Sequence, residues 1–423
     1  MVELSRESLH VSVVDPVSAS MNFLNEVAGR FPEAISLAAG RPFDEFHAVS
    51  DVDKHLQAYL THLRERGLGP ARSRQLLTQY GRTNGHIGDL IARMLDVDEN
   101  IQVPAAAVMV TAGCQEAMVV ALRGLCARPG DVVLAAEPCY VGLTGAARIL
   151  GVEVVPVPES PDGLRPETVR EVAAQTRASG REPKALYLVP NFANPSGVSL
   201  PVATRRALLD VAAETGLLIL EDDPYGLFGL DDEPRPTLKS LDADQRVIYL
   251  GSFAKSYFPG ARVGFLVADQ AVVDAAGRRT LLAEELSTVK SMLTVNTSAL
   301  SQAVVGGMLI DSGFSLRGAN QAKIAFYRQN LRTLLAGLEH EFTGGPIRWN
   351  SPSGGFFVVV DVPVDATEEL LEVSAREYGV LWTPMRFFYV GGGGTHAIRL
   401  SCSALEPPQI EEGVRRLAAL LRA

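Results

Sequence analysis

Cysteine is sparse in this chain. Its four cysteines, Cys114, Cys126, Cys139 and Cys402, show no CxxC spacing. That excludes a disulfide scaffold and a thiolate metal cluster, and it fits reduced thiols in the cytoplasm. No metal site is expected. Long apolar runs are lacking too: the stretches 217–220 and 355–360 fall far short of a membrane span. The opening, MVELSRESLHVSVVDP, has no basic region followed by an apolar one, which argues against a secretory signal. No internal repeat or low-complexity tract stands out, and the glycine run 391–394 is a local turn. Positive charge is in deficit, with a net charge of −10. Such a surface is a poor partner for nucleic acid or an anionic membrane. Any anionic ligand therefore needs a local cluster of cations. Lysine is scarce as well: of 39 basic residues only six are lysines, so each merits a functional check.

What is present is an ordinary globular balance, 47% hydrophobic and 21% charged. The 423 residues suggest about two to three domains. Short apolar runs at 107–111, 132–135, 152–157, 185–189, 217–220, 247–250 and 262–267 read as strands. Helical patterns at 113–126, 140–150 and 204–215 fall between them. In the first, Ala117, Val120, Ala121 and Leu125 share one face. This rhythm predicts an α/β fold with a mostly parallel sheet covered by helices. Beyond about residue 320 the pattern changes to helix 321–341, strand 355–360, helix 367–378 and strand 397–401, a smaller α+β body. We therefore expect three parts. Residues 1–50 pack with the small domain and close the site, 51–318 form the large domain, and 319–423 form the small one. A cleft between the bodies is the default binding site.

Ligands of parallel sheets sit at the carboxyl ends of the strands. Three predicted strands run into polar sequences there: Glu221-Asp222-Asp223-Pro224-Tyr225-Gly226, Pro190 through Gly197, and Gly251 through Gly264. A carboxylate, an amide, a lysine and an arginine would then converge. A buried lysine beside another cation loses its proton easily, as a lysine that bonds to an aldehyde must.

These segments resemble a known family. SLAAGRP (36–42), QYGRTNGHIGDL (79–90), TAGCQEA (111–117), EPCY (137–140), NPSG (194–197), EDDPYG (221–226), GSFAKSYFPGARVG (251–264) and IRLSCSA (398–404) stand in family order. The chain is similar to fold type I pyridoxal-phosphate aminotransferases of class I/II, close to the kynurenine and 2-aminoadipate enzymes. The resemblance runs from about Ile35 to the C-terminus.

The resemblance implies roles for individual residues. Lys255 matches the Schiff-base lysine, which also moves the substrate proton. Asp222, rather than the neighbouring Asp223, matches the carboxylate beside the pyridine nitrogen. Tyr225 and Asn194 match the groups that bond the cofactor's phenolic oxygen, and Tyr140 the residue stacked on its ring. Gly113, Cys114 and Gln115, at a helix start, match the phosphate site together with Ser252 and Arg262. Cys114 stands where the family often has a hydroxyl. Tyr80 matches a residue that reaches the neighbouring subunit's phosphate, which implies a homodimer with shared sites. Arg399 matches the arginine that grips the substrate α-carboxylate, and Gly40 lets backbone approach the substrate.

Some positions depart from the family. Relatives that favour a second carboxylate carry an arginine where this chain has Phe23, which either points to an apolar or aromatic substrate or is a packing residue. Arg41 replaces an aliphatic residue and either contacts a polar group of the substrate or packs. The segment 383–389 departs as well; it adds aromatic surface near the pocket or is a plain loop. The N-terminal segment is similar to aminotransferases of peptide-antibiotic pathways that make hydroxyphenylglycine and 3,5-dihydroxyphenylglycine. The expectation is thus a two-step transfer between an amino acid and a 2-oxo acid, with an arylglycine as substrate. The alternatives are a guanidino amino acid such as enduracididine, held by Asp44 and Glu45, or kynurenine or 2-aminoadipate. Further off stand a lyase or decarboxylase of this fold and an aminotransferase-like DNA-binding regulator.

Overall fold

The computed structural model describes residues 2–15, 23, 26–233 and 235–423. Its centre is a seven-stranded sheet: β1 Val108–Thr111, β2 Asp131–Glu137, β3 Glu153–Pro158, β4 Glu182–Leu188, β5 Leu218–Asp222, β6 Val247–Ser252 and β7 Gly264–Val267. The spatial order is β1-β7-β6-β5-β4-β2-β3. Only β7 runs against the rest, antiparallel to both β1 and β6. The expected α/β architecture with a mostly parallel sheet is what the chain forms. Central strands are buried along most of their length, as expected of a sheet covered on both faces.

Helices α1 Cys114–Leu125, α2 Val141–Leu150 and α3 Val202–Thr215 follow β1, β2 and β4, close to the sequence expectation. Because β1, β2, β4, β5 and β6 point the same way, their carboxyl ends share one edge. The reversed β7 starts at that edge instead, which brings Arg262 there. The expected strand start at 262 is corrected to Gly264. Arg262 itself has a left-handed φ of 48° after a tight turn at Pro259–Ala261.

A second sheet gathers β8 Arg348–Trp349, β9 Phe357–Asp361, β10 Thr383–Pro384 and β11 Ala397–Ser401 in the order β8-β9-β11-β10. It shares a core with α5 Gln321–Phe342 and α6 Pro407–Arg422; α4 is the short helix Phe253–Ser256 after β6. Leu331, Val358, Leu400 and Val414 meet in that core, and so do Val27 and Leu37 from the N-terminal segment. Ile35–Ser36 pairs in parallel with Val380–Leu381, which carries the following residues, 37–42, towards the edge of the large sheet. The helix expected over 367–378 is shorter: it ends at Val373 and continues as a wider π turn, Ser374–Tyr378, closed by Gly379 at φ 66°. No described helix is long and apolar enough to cross a membrane.

The turn from β1 into α1 is locked from two sides. Glu116 reaches back to accept the Ala112 N–H at 2.6 Å and pairs with the buried Lys290 at 2.8 Å. Opposite, β7 starts so close that a Cβ on Gly264 would lie 2.7 Å from the Cys114 nitrogen and 2.7 Å from the Gly113 carbonyl carbon. Both neighbours are backbone and cannot swing away. Gly264→Ala is expected to destabilise the fold by about 1–3 kcal/mol, a typical overpacking cost, measured by urea unfolding. A change within about 0.5 kcal/mol would show that this turn yields.

Candidate active site

At the shared strand edge lies a cavity of about 330 Å³. Its walls include Gly40, Arg41, Cys114, Gln115, Tyr140, Asn194, Asp222, Tyr225, Ser252, Lys255, Arg262 and Arg399. These sequence candidates come from both sheets and from the N-terminal segment. Gly113 stands directly beside Arg262: a Cβ there would meet the guanidinium at 2.5 Å. Two candidates lie elsewhere. Tyr80 is 85% exposed and outside the cavity. Phe23 packs on the small-sheet core and is not among the residues that line the cavity, which is the packing alternative for this position. Residues 16–22 and 24–25 around it are outside the described residues.

Lys255 projects from α4, just beyond β6. Its Nζ donates to the Gly40 carbonyl at 2.6 Å. Burial, then the nearby Arg399 and Arg262, lower its pKa to about 8. About a tenth of the amine is then unprotonated at pH 7, far more than an ordinary lysine leaves, as a nucleophile and proton carrier needs.

Asp222 ends β5 with both oxygens engaged. Tyr187 Oη donates to Oδ2 at 2.8 Å and Cys114 Sγ to Oδ1 at 3.5 Å. Burial raises its pKa to about 6, against the pull of those two donors. Asp223 faces away from the cavity and accepts from Asn191 Nδ2 at 3.1 Å. Burial and the Asp222 charge push the Cys114 thiol well up, so it stays a thiol and is not a nucleophile.

The two arginines differ in surroundings. Arg262 sits beside the opening of α1, where Gly113 supplies no side-chain cap. Its guanidinium makes no hydrogen bond or ion pair among the described residues. Arg399, on β11, is buried. Nη1 donates to Asn194 Oδ1 at 2.5 Å and Nη2 to the Ala38 carbonyl at 2.9 Å, while the buried Nε has no partner. Phe357 and Phe388 lie 4.3 and 5.0 Å from its Cζ, measured to their ring centroids. Burial lowers its pKa to about 10, leaving it charged near neutrality.

The cavity can therefore hold one anion at the α1 end and a second at the Arg399 edge, with an amine and a carboxylate between them. Tyr187, Phe357 and Phe388 were not among the sequence candidates. Tyr187 sits inside the apolar run 185–189, where its hydroxyl gave no signal. Phe388 belongs to the departing segment 383–389, which did carry one.

Comparisons with known proteins agree with this geometry. The model of the family "Aminotransferase class I and II" matches residues 33–417. The (S)-3,5-dihydroxyphenylglycine transaminase of Amycolatopsis orientalis is 49% identical over the whole chain and 95% of its own length. The 2-aminoadipate transaminase of Thermus thermophilus is 31% identical, over 92% of this chain and 91% of its own. Among solved structures, the alpha-aminoadipate aminotransferase of Thermus thermophilus, complexed with N-(5'-phosphopyridoxyl)-L-leucine, superposes with a TM-score of 0.80. It is 29% identical and covers 99% of this chain and 98% of that one.

Two outcomes test the site. Lys255→Ala should abolish both turnover and the visible absorbance of the bound cofactor. Retained turnover would remove Lys255 from the chemistry. In the cofactor-free protein only the unprotonated amine bonds the aldehyde. The rate of cofactor attachment should therefore rise with pH through about 8 and then level off; a rise continuing to 10.5, the ordinary lysine value, would contradict the lowered pKa. The donor set, the close glycine approach and the partnerless arginine edges fit the cofactor common to the family. The chain belongs to the class I and II aminotransferases and works with pyridoxal 5'-phosphate.

Proposed function

We propose that the protein transaminates an arylglycine, a non-proteinogenic amino acid, within antibiotic biosynthesis. The observation that carries this reading is the aromatic wall of Phe357 and Phe388 against Arg399, on the same cavity as Lys255. The dihydroxyphenylglycine transaminase relative supports it. Asp222 is the one acid among the residues that line the cavity. A guanidino substrate therefore finds no free carboxylate in the cavity wall: Asp44 and Glu45 are exposed and do not line it, and Asp44 already faces Arg41 at 3.7 Å. The apolar Phe23, on the small-sheet core, likewise offers no cation for the second carboxylate of aminoadipate.

When bound, pyridoxal phosphate supplies an aldehyde for the amine and a ring that takes up the electron pair of the substrate α-carbon. The residues do the rest. Arg262, Ser252 and the N–H groups at Gly113, Cys114 and Gln115 would hold its phosphate. Tyr140 would pack against its ring, and Asn194 with Tyr225 would bond its phenolic oxygen. Asp222, fixed by Tyr187 and Cys114, would keep a proton on the ring nitrogen. Arg399 would hold the α-carboxylate through its guanidinium, which is positioned by Asn194 and the Ala38 carbonyl. Lys255 Nζ takes the proton from the α-carbon. Gly40 lets the backbone come close; a Cβ there would strike Phe357 at 2.6 Å. Arg41, 65% exposed at the rim and only 3.7 Å from Asp44, reaches the polar end of the substrate ring.

The reading extends to assembly and place. Residues 1–50, of which 1, 16–22, 24 and 25 lie outside the described residues, close the site over the 51–318 and 319–423 bodies. The protein is a homodimer in which Tyr80 serves the partner's phosphate. Tyr80, Met292 and Leu293 are exposed in the single chain. Its four free cysteines suit the cytoplasm.

Single-turnover mixing of the holoenzyme with 3,5-dihydroxyphenylglycine should discharge the cofactor absorbance. Discharge by glutamate or aminoadipate alone would sink the substrate assignment. Light scattering should give a dimer, and Tyr80→Phe should loosen cofactor binding by about tenfold, the size of one charge-assisted hydrogen bond. Unchanged cofactor affinity would remove Tyr80 from the site. Asp222→Asn should lower turnover yet raise the melting temperature of the cofactor-free protein above pH 6. The folded pKa, about 6, lies above the ordinary 3.8, so the folded state loses stability as pH rises through that window. A lower melting temperature at pH 7 would show that Asp222 stabilises the cofactor-free fold instead.

A further inference from the structure

The segment 383–389 departs from the family pattern, and the structure shows where it goes. A tight helical turn, Met385–Phe388, follows β10 and lies against the loop after β2. The Cys139 N–H donates to the Phe388 carbonyl at 2.7 Å, and the Val390 N–H donates to Glu137 Oε1 at 2.7 Å. Two bonds thus pin this turn to the loop that carries Tyr140. Phe388 packs with Met385, Phe387 and Val141. Its ring is 2% exposed, yet it lines the cavity beside Tyr140 and Val141. The same ring lies 5.0 Å from the Arg399 Cζ.

We propose that Phe388 is a specificity-determining residue that selects substrates whose aromatic ring is bonded directly to the α-carbon. This rests on the transaminase reading above and deepens it. The argument is geometric. Arg399 fixes the α-carboxylate, and Phe388 stands next to Arg399. In an arylglycine the ring and the carboxylate hang from one carbon, so the ring falls against Phe388. In an arylalanine a methylene pushes the ring about 1.5 Å further along, away from a wall set this close to the anchor. The backbone bonds from Phe388 and Val390 to the 137–139 loop keep that wall from retreating. Aromatic rings in contact gain beyond simple burial, and one methylene misplaced in a tight pocket changes kcat/KM by about tenfold or more.

The test compares 4-hydroxyphenylglycine with tyrosine, which differ by that methylene alone. Phe388→Leu keeps an apolar side chain but removes the ring. It should lower the ratio of the two kcat/KM values, arylglycine over tyrosine, by about tenfold. Phe388→Tyr, which restores the ring, should stay within about twofold of the parent ratio. A binding measurement needs no turnover: the holoenzyme should bind mandelate more tightly than 3-phenyllactate, and Phe388→Leu should erase the difference. An unchanged ratio in Phe388→Leu overturns the proposal while leaving the arylglycine reading intact. Equal binding of the two hydroxy acids by the parent protein overturns it without any variant. A parent enzyme that transaminates other amino acids but not arylglycines overturns the reading and the proposal together.

Discussion

Uncompensated positive charge in an enclosed space is the constraint around which this protein is arranged. Lys255, Arg262 and Arg399 line one cavity whose single carboxylate is Asp222. Lys255 and Arg399 are held by carbonyl and amide oxygens, from Gly40, Ala38 and Asn194, rather than by acids. Neutral acceptors orient a cation without cancelling its field. The loss of water, and then repulsion from Arg399 and Arg262, lower the Lys255 pKa. The same arrangement creates the demand for anions at both ends of the cavity. Two buried lysines elsewhere are neutralised: Lys290 by Glu116 and Lys239 by Asp269, at 2.8 and 2.6 Å. The contrast shows that the chain can pair a buried lysine and does not do so here.

The topology is what brings those cations together. A parallel sheet delivers the ends of β1, β2, β4, β5 and β6 to one edge. The one reversed strand, β7, delivers its start there, with Arg262 in a left-handed turn. Arg399 arrives from the other sheet. The Ile35–Ser36 pairing with Val380–Leu381 anchors the chain just before Gly40, so its carbonyl meets Lys255. No local segment holds the site. Its geometry depends on two sheets and a strap staying in register, which is why the hydrogen bonds from the 385–390 segment to Glu137 and Cys139 matter.

Much of this was legible in the sequence, for a physical reason. Period and punctuation are local, so the strands, the helices between them and the strand-end rule could be read directly, and the motif residues fell at those ends. Long-range contacts were not legible. Nothing near Tyr187 announces that its hydroxyl meets Asp222, 35 residues on. The 383–389 segment announced itself as unusual, but only the fold shows that Phe388 reaches Arg399. Phe23 is a position where spacing to the SLAAG segment leaves substrate contact and packing both open, and only the fold shows its packing on the small-sheet core. Strand 262–267 was read two residues too early because an apolar pattern does not report a left-handed turn.

Lysine scarcity also takes on a sharper meaning. It made Lys255 stand out, yet the structure shows a second lysine in a similar electrostatic state. Lys323, near the start of α5, has its pKa lowered by burial to about 8. Like Lys255 it bonds only carbonyls, those of Ser256 and Tyr257, at 3.2 and 2.8 Å. A low pKa therefore does not single out one amine. Position does: Lys255 lines the cavity between two arginines, whereas Lys323 lies outside it and occupies the carbonyls left free where α4 ends. Because α4 is the four-residue turn that carries Lys255, one depleted residue type supplies both the amine that faces the cavity and the one that fixes its backbone.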